Sequence, residues 1–157
     1  MISLIERAES SPTAVLLERL AGGLDVSLAS LFDAPAAGPP LVRRVDQPYW
    51  QDPGSGYRRR NVSPPGFASR VAIVEVELPA AAAVAFETGA REVRVEQQIW
   101  VLRGSIEVRV GESTHRLDAG DCLGFVLDRP TAFRNLTRKR ARYAVVIASE
   151  GRIGGSR

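Results

Sequence analysis

The sequence has 157 residues, 45% of them apolar and 25% charged, which is enough apolar material for a core and too much for a compositionally disordered chain. A single cysteine, Cys122, excludes an internal disulfide and any zinc site built on paired thiolates. A single histidine, His115, excludes two-histidine metal centres and leaves little material for a Ser-His-Asp triad.

The net charge of +3 is unevenly spread, since residues 1–33 carry two basic side chains against five acidic ones. Arginines gather at Arg58-Arg59-Arg60 and in Arg138-Lys139-Arg140-Arg142. These clusters read as solvated loops and strand ends, or more sharply as a patch that faces phosphate. No apolar run reaches the roughly 18 residues of a membrane span. Glu6, Arg7 and Glu9 break up the apolar stretch that a secretory signal needs, so the expected location is cytoplasmic.

Residues 1–33 read as helical. A first helix carries Ile2, Leu4 and Ile5 and ends near Ala8 and Glu9. Ser11 then supplies an N-cap and Pro12 a first helical position. The second helix is expected to bury Val15, Leu16, Leu20 and Leu24, with Gly22-Gly23 as its stop. Ser27 caps a short third helix over residues 28–32. Three such helices fall below the roughly 40 residues at which a domain folds unaided.

Residues 34–66 are rich in proline and glycine and read as a linker with one short strand near 41–45. From Phe67 the pattern turns to alternating strands over 71–76, 99–102, 106–110, 114–117, 122–127 and 143–148. Recurrence every 8–12 residues without intervening helices indicates a sandwich or barrel. Trp50 and Trp100 read as packing residues, Cys122 as a small buried hydrophobe and His115 as a surface or rim side chain. Glu92 and Glu96 share a strand face, but four residues apart they stand about 13 Å from each other, too far for paired acid–base work.

Two groups of stretches carry a family resemblance. The run from Gln98 to Gly104, then Leu117-Asp118-Ala119-Gly120-Asp121, then the run from Arg129 to Asn135 together resemble a cupin. The run from Ile2 to Leu20, continued by Val26 to Phe32, resembles the C-terminal half of a helix-turn-helix domain of the phage-repressor and xenobiotic-response-element type. In that order the two modules resemble transcriptional regulators with a cupin sensor domain. The resemblance implies a mainly β fold: a cupin double-stranded β-barrel of jelly-roll type behind a short all-α partial helix-turn-helix segment. The implied division is residues 1–33 for DNA binding, 34–66 for the linker, 67–150 for the cupin sensor and 151–157 for a flexible tail.

Site residues follow from the same resemblance. Gly120 and Asn135 match the ends of the second cupin motif, Thr131 falls where that motif has histidine, and Gln97 falls at the first motif's glutamate. The first motif's histidines fall near Arg91 and Val93. Neutral and cationic groups do not hold a hard divalent metal, so no metal or other cofactor is expected. What the resemblance leaves is a pocket of Arg91, Gln97, Thr131 and Asn135 for a small polar or anionic effector, with Arg91 able to grip a carboxylate in bidentate fashion.

In the helical segment, Ser3, Arg7, Ser10 and Ser11 match positions that approach DNA in the family. Met1 falls inside the matching recognition helix, so either the family's earlier helices lie ahead of this sequence, or the segment is a truncated relative that does not read DNA alone. The expected function is a homodimeric, non-enzymatic DNA-binding regulator. The alternative is a stand-alone cupin ligand-binding protein or small-molecule enzyme whose helical stub only packs.

Overall fold

Among the described residues, two antiparallel sheets face each other across one apolar interior, and one α-helix packs beside them. A computed structural model describes residues 13–23, 38–88 and 93–149. The first and third expected helices, the tail and the candidate residues Ser3, Arg7, Ser10, Ser11 and Arg91 lie outside the described residues.

Helix α1 spans Ala14–Gly23. Its described cap is Thr13, whose Oγ1 accepts the Leu16 N–H at 3.3 Å. The Ala14 N–H, another amide the first turn leaves open, donates to Asp52 Oδ1 at 3.0 Å. The buried stripe is Ala14, Leu17, Glu18 and Ala21, spaced as one helical face. This corrects the expected stripe: Val15 is exposed and Leu16 and Leu20 are only half-buried. The stripe holds two alanines and a glutamate, so a search for large apolar residues misses it. Small side chains instead let the helix axis approach the sheets.

The segment read as a linker is largely built into the fold. A 3₁₀ turn at Arg44–Asp46 replaces the strand expected near 41–45. Strands β1 (Tyr49–Gln51) and β2 (Arg58–Asn61) follow and pair antiparallel. β2 also pairs with β3 (Val71–Leu78), so the pair extends the larger sheet. Trp50 and Tyr57 project inward and join the core. Strands this short have too little alternation to stand out from the surrounding prolines and glycines.

The remaining strands are β4 (Ala83–Phe86), β5 (Val95–Arg103), β6 (Ser105–Val110), β7 (Ser113–Asp118), β8 (Cys122–Val126), β9 (Thr131–Arg134) and β10 (Ala141–Ser149). The larger sheet has the order β1-β2-β3-β10-β5-β8, and the smaller the order β4-β9-β6-β7. This is the cupin arrangement, with the sheets facing each other and no hydrogen-bonded closure into a continuous barrel. Gly104 turns β5 into β6 at φ +81, a left-handed conformation that glycine enters without strain.

Alternation along the long strands puts Val74, Val76, Ile99, Val101 and Val108 inside, all fully buried, each worth roughly 1.5–3 kcal/mol against exposure. The same alternation turns Trp100 and its cross-strand partner Cys122 outward, so both are exposed. That corrects the packing role expected of Trp100 and the burial expected of Cys122. Trp50 does pack against the core.

Candidate functional site

Side chains from both sheets and from α1 line one cavity in the interior. Its non-atom space is about 580 Å³ counting the open mouth.

The walls are mostly apolar and aromatic. Tyr57 meets Phe86 edge-on at 6.4 Å, Phe86 meets Phe133 edge-on at 6.1 Å, and Phe133 stacks on Tyr143 at 5.7 Å. These quadrupole-favoured contacts fix ring positions and hence the cavity's shape. Four polar side chains break this surface: Glu18 from α1, Arg59 from β2, Gln97 from β5 and Thr131 from β9.

Register explains their convergence. Gln97 lies opposite Ile147, and both point inward. Thr131 lies opposite Phe86, which brings its hydroxyl to the aromatic wall. In β2 the arginine triplet alternates. Arg58 and Arg60 face outward, where they pair with Glu77 at 3.7 Å and Glu75 at 3.9 Å. Arg59 faces inward opposite Val76 and is only 6% exposed.

Arg59 gives the cavity its electrostatic character. Its Nε and Nη2 are buried without a hydrogen-bond partner. Burial pushes the Tyr57 phenol above its usual range, opposed by the charge and hydrogen bond of Arg59 and reinforced by Glu18 and Asp52. Burial also drives the Tyr143 phenol well upward. Both phenols therefore stay protonated at neutral pH. Unmet donors on a buried guanidinium cost free energy that an incoming acceptor recovers.

Of the expected effector residues, Gln97 and Thr131 meet in this cavity. Asn135 does not line it. Its Nδ2 donates to the carbonyls of Leu78 at 3.0 Å and Lys139 at 2.8 Å. Its Oδ1 accepts from the Thr137 N–H at 3.0 Å and the Thr137 hydroxyl at 2.8 Å. With its amide fully engaged, Asn135 pins the loop from β9 to β10, and its effector role is withdrawn. Sequence reading missed Arg59 and Glu18. The usable signal was period-two alternation through Tyr57, Arg59 and Asn61, and the place of Glu18 on the Ala14–Leu17–Ala21 face.

The donor set does not suit the divalent metal that many cupins hold. Of the four polar side chains only Glu18 is a carboxylate, Gln97, Thr131 and Arg59 being neutral or cationic, and among the described residues no group of three His, Cys, Asp or Glu side chains comes together.

Fold and cavity together define a cupin fold with one interior cavity and a helix at its side. No protein-family model matches the sequence, and no curated protein matches it. Among solved structures, the chain is similar to an HTH_3 family transcriptional regulator from Vibrio cholerae: TM-score 0.68, 23% identity, 94% of this chain and 78% of that one. It is also similar to the Cupin_2 domain of an XRE family transcriptional regulator from Enterobacter cloacae, with TM-score 0.53 and 17% identity over 59% of this chain and 95% of that one. A third is the polyketide cyclase RemF from Streptomyces resistomycificus, with TM-score 0.53 and 22% identity over 69% of this chain and 78% of that one. Likeness at these identities shows the fold alone, and the first extends it across nearly all of the chain. Among the described residues, no helix is long and apolar enough to cross a membrane.

Proposed function

We propose that this chain is a cytoplasmic, homodimeric transcriptional regulator whose cupin cavity binds a small effector carrying an anionic or strongly polar group. The observation that carries this reading is the likeness to the Vibrio cholerae regulator, which takes in 94% of the chain and so goes beyond the cupin sheets. Gln97 and Thr131 orient the effector, Arg59 supplies the fixed positive charge, and Arg91 adds a second guanidinium. Ser3, Arg7, Ser10 and Ser11 contact DNA phosphate and base edges. Dimerisation sets the spacing of two such heads, and the effector acts by changing it.

Fluorescence anisotropy with mixed-sequence duplex DNA over a salt series tests the reading. A steep fall of affinity with salt is expected, because each neutralised phosphate releases counterions. Absence of binding at low salt would overturn the DNA-reading role. A second reading, an enzyme acting on a small molecule, is favoured by the likeness to the polyketide cyclase RemF and by the aromatic walls. Turnover of a small aromatic substrate without DNA affinity would establish it instead.

A further inference from the structure

The cavity is not closed off by the sheets alone, because α1 contributes the Glu18 carboxyl to its lining. Glu18 and Arg59 thus bring opposite charges to one small, mostly apolar space. Glu18 is buried, and Arg59 keeps two N–H groups without acceptors. The hold on α1 is otherwise light: Ala14, Leu17 and Ala21 are its buried apolar residues. Asp52 tethers its first amide, and an exposed Arg19–Glu87 ion pair at 3.3 Å adds little. Such an element sits at the low-stability end of a fold, where local release is inexpensive.

We infer that α1 reports occupancy of the cavity: a small carboxylate with an aromatic or branched apolar body docks on the open N–H groups of Arg59, and its charge repels the Glu18 carboxylate that lines the same cavity, which loosens α1 from the sheets. This rests on the proposed reading of the cavity as the effector site. The ligand class follows from the lining. A planar carboxylate matches the fork of a guanidinium in bidentate fashion, and the aromatic wall suits a flat apolar body. Two carboxylates in one small low-dielectric cavity repel each other and compete for the positive charge of Arg59, so binding the second weakens the hold of the first.

Benzoate is the probe and benzamide its neutral counterpart, each titrated by calorimetry, with amide hydrogen exchange read over residues 14–22. Benzoate is expected to bind, and benzamide to bind at least about tenfold more weakly, the equivalent of one charge-assisted hydrogen bond. Arg59→Lys should weaken benzoate about tenfold, because a point charge replaces the fork. Glu18→Gln should tighten benzoate severalfold, because the competing charge is gone, and Glu18→Ala should do the same if the glutamine variant folds poorly. In the wild type, benzoate should speed exchange over residues 14–22, and in Glu18→Gln it should leave that exchange unchanged.

Weaker binding in both Glu18 variants would overturn the competition, and so would unchanged exchange over α1 on benzoate saturation. In either case the cavity reading would survive through the benzoate titration itself. No benzoate binding in the tens of millimolar would overturn the ligand class. The DNA titration stays independent of all these results.

Discussion

Asn135→Ala separates a structural from an effector role at a position that the family pattern assigns to the pocket. Asn135 is 1% exposed and makes four hydrogen bonds of 2.8–3.0 Å, which join the end of β3 to the loop over residues 135–139. At roughly 0.5–1.5 kcal/mol per bond, and with buried carbonyls losing their donor, truncation should cost about 3–5 kcal/mol. For a chain of this size that lowers Tm by about 6–20 °C. Urea denaturation gives the free energy, and an unchanged m-value would show that the unfolded state is not what moved. Benzoate affinity of the folded fraction should stay within about twofold of wild type, since no Asn135 atom lines the cavity. A loss under about 1 kcal/mol joined to collapse of ligand affinity would refute this reasoning and restore Asn135 to the site.

Three further outcomes follow from the structure. Burial raises the Asp52 carboxyl, but hydrogen bonds from Ser55, Ala14 and Gly54 outweigh it and leave the carboxyl below its usual range. A depressed folded-state pKa gives stability that is present above the unfolded carboxylate range and lost as pH falls through the folded value. Wild type should therefore lose more stability than Asp52→Asn between neutral pH and pH about 3, and parallel curves would exclude this role. Gly104→Ala should cost about 1–2 kcal/mol by thermal melting, because φ is +81 and a Cβ would lie 3.2 Å from the Ala141 Cα; an unchanged melt would contradict the strained turn. Cys122 should react with a thiol reagent at one equivalent per chain under native conditions, and reaction only in denaturant would contradict its exposure.

Strong alternation made six of the ten strands legible, because β3, β5, β6 and β10 bury one face and their apolar periodicity survives in the letters. β4 and β9 left no such trace. Ala83–Phe86 is alanine-rich and becomes a strand through pairing of Val84 with Phe133, a long-range contact that local propensity does not encode. β1 and β2 were hidden for a different reason: an arginine run among prolines has the composition of a loop. The cavity was half legible. Gln97 and Thr131 were found by their place in a motif, whereas Arg59 and Glu18 arrive from elements outside that motif. Asn135 shows the converse, since a motif position marks what the fold needs as readily as what a ligand needs.

The triplet Arg58-Arg59-Arg60 also settles the alignment of a strand with no apolar pattern of its own. Slipping β2 by one residue along β3 would turn two guanidiniums into the interior and strip both from Glu75 and Glu77, at several kcal/mol for each ion. Three identical letters thus act as a ratchet with one permitted notch. Loop-length changes between Gln51 and Arg58 should leave Arg59 in the cavity, because the register of β2 is set against β3 and not by the loop before it.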